Sequence, residues 1–390
     1  RHMRFNTEVA KASFDEAQGV WAITLTNDET IFARILITAT GQLNQPAYPK
    51  MPGIDAFKGA HFHSARWDHS VDLKGKTVAV IGTGASAIQF VPEVAKVAGK
   101  VMLFQRSAAH VLAKPDRAYS EREHRILKKF PITQTLDRLK IYIANEARVL
   151  GFTSLQKAMT LFEWQFKRQL KKFIKDPEQR EKLTPDYPIG CKRILMSNDY
   201  YPALAQDHVE VINQGISEVT ATGVVDSEGK HHDVDVIIYG TGFQATDFLT
   251  PMTITGRDGI ALNDAWKDGA EAYLGITVNG FPNLFMLYGP NTNLGHNSII
   301  YMLESQIHYV QQCIAAIDSQ KLRSLEVRSL VQTNFNDRVQ SKISDTVWNK
   351  GCHSWYKTES GKNTNNWPGF TFNYRRQTDK LDLNDYDIVR

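Results

Sequence analysis

The segment KTVAVIGTGASAIQFVPEVAKVAG, residues 76–99, constrains the chain more than any other. Its opening run TVAVI is β-branched and apolar without alternation, the pattern of a strand covered on both faces. The run breaks on GTGASA, continues as an amphipathic helix and is followed by VMLFQRS, a second strand. That is one βαβ unit, and an α/β fold is expected around it. Gly82 permits the tight turn after the strand, and Gly84 lets a phosphate approach the backbone of Thr83, Ala85 and Ser86. Ala87 allows close helix packing, with the pyrophosphate resting on the helix N-terminus. A tight structural turn is the competing reading.

The second strand of the unit distinguishes the two nicotinamide dinucleotides. An NAD site ends this strand on an acidic residue that holds the ribose 2′-hydroxyl, whereas here the strand ends FQRS, with Arg106 at that place. A planar guanidinium suits a 2′-phosphate, and Ser107 adds a donor. NADPH is therefore expected over NADH, against the alternative of Arg106 as a plain surface charge. A second string of the same form, GTGFQA at 240–245, follows the strand DVDVIIY but runs into TDFLTPM, which continues no helix. Thr241 and Gly242 are expected to bring a strand end against a planar cofactor ring, or simply to end the strand.

Around these strings the chain divides readily. Residues 4–41 read as a small antiparallel sheet, already under way at MRFNTEV, so an upstream segment is expected. Residues 42–76, with Pro46, Pro49 and Pro52, read as an irregular connector. Long polar and apolar residues at helical spacing over 119–184 read as a helical subdomain, in which the basic run KRQLKKFIK is a solvated helix face rather than a membrane-surface helix. Strands at HVEVI and DVDVIIY, a helix at IYMLESQIHYVQQCIAAI and a polar tail complete the chain.

Composition excludes more than it assigns. With 46 basic against 42 acidic residues, nothing favours nucleic acid as a partner. No run of 18 apolar residues predicts a spanning helix, and the start has no apolar core of a signal peptide, so a soluble cytoplasmic protein is expected. Cys191, Cys313 and Cys352 lie far apart with no CxxC pair, which argues against a disulfide framework.

The connector holds the residues hardest to place. His61, His63 and His69 stand with Asp68 within FKGAHFHSARWDH, the usual raw material of a zinc or iron site. Yet Phe57, Gly59, His63, Trp67 and Asp68 fit FxGxxxHxxxW(P/D), and this spacing resembles the fingerprint of the Baeyer-Villiger monooxygenases, flavin enzymes that turn ketones into esters or lactones. The resemblance continues through ATGQLNQPAYP, VIGTGASA, FQRS, CKRILMSNDYY, DVIIYGTGF and CHSWY, with Leu43 where one longer family signature has tryptophan. It implies a hinge role for the fingerprint, in a linker between two dinucleotide domains, and no metal.

The resemblance further implies two Rossmann-like domains, the NADP domain inserted into the FAD domain. Residues 1–45 would be a remainder of the FAD domain, 46–75 the linker, 76–230 the NADP domain with its helical insertion at 119–184, and 231–390 the rest of the FAD domain and the tail. NADPH would reduce FAD, and a C4a-peroxyflavin would carry oxygen to a ketone. Arg193 matches the catalytic arginine, Lys192 a contact to the 2′-phosphate, and Trp355 a contact to the NADP ribose. Family members also carry an N-terminal GxGxxG for FAD, inside a unit of ~30 residues, which this sequence does not contain. Amine or sulfide oxygenation, an NADP-binding module without flavin, and a peroxide-forming NADPH-flavin reductase are the alternatives.

Overall fold

The computed structural model describes residues 2–352 and 354–390. The chain opens with β1 (Val9–Asp15), β2 (Val20–Leu25), β3 (Thr30–Ala33) and β4 (Leu36–Thr38), then crosses to β5 (Ala60–His63). Next comes the unit β6 (Thr77–Ile81), α1 (Ala87–Ala95), β7 (Lys100–Phe104). β8 (Val111–Leu112) leads into a helical subdomain of α2 (Glu121–Lys129), α3 (Pro131–Ala147), α4 (Val149–Phe152), α5 (Met159–Phe173) and α6 (Pro177–Lys182). The chain returns through β9 (Leu195–Met196), α7 (Tyr200–Leu204), β10 (Val209–Ile212), β11 (Ile216–Val219), β12 (Gly223–Asp226), β13 (His231–Asp233) and β14 (Val236–Tyr239). It ends with β15 (Thr253–Thr255), α8 (Leu262–Ala265), β16 (Leu284–Met286), α9 (Ile299–Ser319), β17 (Ser324–Val327), α10 (Ser329–Ser344), α11 (Thr371–Gln377) and β18 (Tyr386–Val389).

The central sheet is parallel throughout, in the order β10–β7–β6–β14–β5. Successive side chains of a strand point to opposite faces. Val78, Val80, Val101, Leu103, Val236 and Ile238 accordingly bury against α1, α5 and α7, while Ala79, Met102, Ile237 and Tyr239 bury on the other side with Val219 and Val224 of the antiparallel β11–β12–β13 sheet. Both faces are covered, which is why these strands read as unbroken apolar runs. Strands β5 and β14 of this sheet lie to either side of most of the 76–230 segment in sequence.

A second body is built from the chain ends. The four-stranded sheet β15–β1–β2–β3 packs through Trp21 on Phe281 and Leu284, and the parallel pair β4–β16 leads toward a core formed by α9, α10 and β17. Several expectations change here. Extended structure begins at Val9 rather than at Met3, because Asn6 takes a left-handed φ of 51° and Phe5 is left exposed. The connector contains a real strand, β5, recruited as an edge of the parallel sheet. The tail is no loose polar end, since Asn363 to Asn366 are buried.

The cysteine expectation is overturned. Cys191 and Cys352 form a disulfide, with Cα atoms 6.3 Å apart across 161 residues of sequence. Sequence spacing says nothing about such a contact, because only the packing of β9's approach against the segment after α10 creates it. Among the described residues no helix is long and apolar enough to cross a membrane.

Candidate functional site

The first glycine string sits at the C-terminal end of β6, where ligands of parallel sheets bind. Helix α1 forms behind it because Ile88, Val91, Val94 and Ala95 bury one face. Gly82 has a φ of +105°, and a Cβ there would lie 2.5 Å from the carbonyl oxygen of Gly240. The two strings therefore touch, and no side chain fits between them. Around Gly84 the space is open, the nearest atom to an added Cβ being 4.0 Å away. The backbone amides of Ala85 and Ser86 have no acceptor among the described residues. An open backbone, outward amides and a helix N-terminus fit a pyrophosphate.

A cationic corner flanks this cradle. Thr83 Oγ1 donates to the Ser107 carbonyl at 3.0 Å, and Lys192 Nζ donates to Ser107 Oγ at 3.0 Å while lying 4.3 Å from the centre of the Tyr187 ring. Burial, and then the Arg106 guanidinium, hold the Lys192 ammonium below its ordinary pKa, against a smaller opposing pull from Asp186. Neither cation makes a salt bridge among the described residues. Like charges brought together at a cost, one of them bonded to the Ser107 hydroxyl, fit an incoming phosphate dianion. Arg106, Ser107 and Lys192 thus come together near Thr83 of the first string, whose hydroxyl bonds the Ser107 carbonyl.

The second string does different work. Gly242, at a φ of +83°, accepts hydrogen bonds at its carbonyl from His63 Nε2 at 3.0 Å and from the Ala47 amide at 2.9 Å. Thr241 Oγ1 donates to the Ala47 carbonyl. His63 is fully buried, its Nδ1 accepts from the Ala65 amide at 3.1 Å, and burial lowers its pKa. Both ring nitrogens are committed to backbone, so this histidine is held neutral and has no lone pair left for a metal. Among the described residues no group of three or more metal-binding side chains assembles.

The other fingerprint residues brace the same sheet edge. Gly59 passes so close to Asp235 that an added Cβ would lie 2.2 Å from its carbonyl oxygen. Phe57 is buried, Trp67 packs edge-on against Phe62 and against Phe90 of α1, and Asp68 caps Ser70. These residues lie behind the nucleotide cradle, where they connect α1, β5 and the second string.

Arg193 opens onto a cleft of about 630 Å³ between α1, the helical subdomain and the segment before α9. Its side chain is exposed and its charge reaches the half-buried Tyr288 and the buried Tyr356. Tyr288 accepts from Gln42 Nε2 at 2.9 Å and donates to Asn293 Oδ1 at 2.8 Å. The residue before Lys192 is Cys191, so the disulfide ties Lys192 and Arg193 to the loop that carries Trp355, which packs on Tyr356 with ring centres 4.5 Å apart. His353 of that loop lies outside the described residues.

Sequence reasoning missed Gln42, Tyr288, Asn293 and His296. A signal was present, because ATGQL and LYGPNTNLGHN both extend from strands, β4 and β16, that pair in parallel. Tyr288 and Asn291 also adopt left-handed φ angles of 63° and 56°, which non-glycine residues keep where the surroundings demand it. These strand ends fit the flank of a flavin ring. The phosphate cradle that a second dinucleotide needs is not among the described residues, so for FAD the fit is partial.

A βαβ nucleotide cradle, a phosphate corner and an arginine-bearing cleft define a dinucleotide-dependent oxidoreductase. Related proteins narrow the class. The family model of flavin-binding monooxygenase-like proteins matches residues 1–255. A Baeyer-Villiger monooxygenase of Pseudomonas aeruginosa is 49% identical over 386 residues, covering 98% of this chain and 73% of that protein. One from Streptomyces coelicolor is 43% identical over 391 residues, covering 100% and 75%. The crystal structure of OTEMO in complex with FAD and NADP matches with a TM-score of 0.88 at 27% identity, covering 100% of this chain and 81% of that one. Oxidized steroid monooxygenase bound to NADP matches at 0.87 and 27%, covering 99% and 81%. The chain belongs to the flavin-binding monooxygenase-like family, among its Baeyer-Villiger monooxygenases, and has their two-Rossmann-domain α/β fold.

Proposed function

We propose that the protein uses NADPH and FAD to insert one oxygen atom of O2 beside the carbonyl of a small-molecule ketone, giving an ester or lactone. The observation that carries this reading is Arg193, a guanidinium facing the cleft with no carboxylate partner among the described residues. Gly82, Thr83, Gly84, Ala85, Ser86 and Ala87 would hold the NADP pyrophosphate, Arg106, Ser107 and Lys192 its 2′-phosphate, and Trp355 its ribose. Gly41 and Gln42, with Tyr288, would flank FAD, and Thr241 and Gly242 the junction between the two cofactors. When bound, FAD reduced by NADPH supplies the activation of dioxygen.

The chain's own residues do the rest. As oxygen inserts beside the ketone carbonyl, negative charge gathers on the carbonyl oxygen, and Arg193 opposes it with a positive charge that no pH in the working range removes. Phe152, Met159 and Phe162 give the cleft an apolar wall against which a ketone's hydrocarbon part can rest. His63 holds Gly242 to β5, so Phe57, Gly59, His63, Trp67 and Asp68 act as the hinge that lets the two nucleotide domains move as units.

The test is Arg193→Ala, assayed for two events separately. Anaerobic NADPH should still bleach the flavin, while ester formation in air falls by two orders of magnitude or more, about the loss seen on removing a charge-stabilising group. Normal ester yield from this variant would overturn the assignment. A cytoplasmic location stays with this reading, and the thiol state of Cys191 and Cys352 in protein taken from cells under alkylating conditions checks it.

A further inference from the structure

His296 lines the same cleft as Arg193, yet no part of the proposed reaction uses it. It sits in the GHNS segment that leads from β16 into α9, and it is 5% exposed. Neither Nδ1 nor Nε2 has a hydrogen-bond partner among the described residues. Leaving a buried polar atom unpaired is unfavourable. A leucine or phenylalanine would fill this place without that cost.

The Glu146 carboxylate, whose charge acts on the ring, is engaged elsewhere. Glu146, buried below it, accepts from Asn297 Nδ2 at 3.0 Å, from the Thr371 amide at 3.0 and 3.2 Å and from the Thr371 hydroxyl. Two charges act on the imidazole in opposite senses, the Glu146 carboxylate favouring protonation and the Arg148 guanidinium disfavouring it. Burial outweighs both and pushes the pKa down to about 4. The ring is therefore neutral near pH 7, with one N–H donor and one lone pair.

We infer that His296 is a substrate-orienting residue, and that the cleft selects ketones carrying a hydroxyl group at the end of the skeleton away from the carbonyl. A carbonyl or carboxylate oxygen can only accept, so it satisfies the ring through the N–H alone. A hydroxyl both donates and accepts, and it pairs with whichever ring nitrogen faces the cleft. The lining of the same cleft includes Phe152, Met159, Phe162 and Leu195, which suit a hydrocarbon skeleton. The carbonyl would then lie at Arg193 and the hydroxyl at His296, fixing which side of the carbonyl meets the inserted oxygen. This assignment rests on the Baeyer-Villiger reading for the carbonyl end, while the hydroxyl end is a binding statement that needs no turnover.

The test uses 4-hydroxycyclohexanone and cyclohexanone with the holoenzyme. Wild-type protein should favour the hydroxyketone in kcat/KM by about tenfold, the value of one hydrogen bond to a buried partner. That ratio should fall to about one in His296→Phe and recover in part in His296→Gln, which restores a donor and an acceptor. Independently of turnover, the imidazole 15N resonances of His296 should move on adding the hydroxyketone and stay still with cyclohexanone. An unchanged ratio in His296→Phe, or resonances that ignore the hydroxyketone while both ketones are oxidised, overturns the inference and leaves the function standing. Resonances that respond while neither ketone is oxidised would instead remove the function and keep the binding assignment. The resonance measurement needs only wild-type protein, so it decides even if His296→Phe does not fold.

Discussion

GTGASA at 82–87 and GTGFQA at 240–245 share four of six residues and end adjacent parallel strands, β6 and β14, yet they have opposite fates. The first runs into α1, leaves the Ala85 and Ser86 amides without acceptors among the described residues and stands beside the Lys192–Ser107 pair, which the proposed function gives to the phosphate. In the second, the Gly242 carbonyl is engaged by His63 and Ala47, and the segment clasps the connector through an isolated bridge between Pro46 and Phe243. The pattern alone does not make a phosphate site. The next element of the chain decides, because only a helix start aligns successive N–H groups on one point.

The largest expected effect separates the two strings by sterics. Gly82→Ala adds a left-handed strain of about 1–2 kcal/mol and a clash with the Gly240 carbonyl, a total of about 3 kcal/mol or more with loss of NADP binding. Gly242→Ala meets open space and should cost only the strain, about 1 kcal/mol. Thermal melts and NADP titration of both variants check the pair. Equal losses would mean that contact between the strings does not matter.

Next in size is the covalent tether to the phosphate corner. Cys352→Ser should lower stability by about 3 kcal/mol and abolish any shift in melting temperature caused by a thiol reductant. It should also raise the KM for NADPH, since Lys192 is the next residue after Cys191. A wild-type melt indifferent to reductant would show that the first string's corner is held by packing alone.

A smaller effect tests the charge assignment. Lys192→Ala should raise the KM for NADPH by about tenfold, the worth of one charge-assisted hydrogen bond, and alter that for NADH far less. Thr241→Val at the second string should leave the ratio of the two KM values in place. A change in that ratio from Thr241→Val would make the second string part of the phosphate site.

The βαβ unit and the helical subdomain were legible because each writes itself locally, through period, punctuation and residue type. Arg106 and Ser107 lie in the same βαβ unit as Gly82, and Lys192 became legible only through the family resemblance. What stayed hidden is what the tertiary fold alone assembles. Cys191 meets Cys352, Gln42 meets Tyr288, and His296 is buried in the cleft wall with both ring nitrogens unpaired among the described residues. The connector misled for a related reason: AHFH is too short to announce a strand, and becomes one because β14 offers it an edge.

The most delicate difference between the strings is their response to acid. Burial holds His63 below its ordinary pKa of 6.5, so the folded state binds fewer protons here than the unfolded chain. Stability from this group is present above pH 6.5 and is lost as the pH falls below it. His110 and His296, both pushed down to about 4, add to the same loss between pH 6.5 and 4. A full proton of difference gives a slope of about 1.4 kcal/mol per pH unit. His63→Gln keeps a donor for the Gly242 carbonyl and removes one titrating group, so its stability should fall less steeply than wild type's as the pH drops below 6.5. Gly82→Ala, which touches no titrating residue, should keep the wild-type slope despite its lower stability. Denaturant melts at several pH values read both slopes. If His63→Gln and wild type run parallel, the buried histidine is not what couples the second string to protonation, and the hinge assigned to it would rest on packing by Trp67 and Phe57 instead.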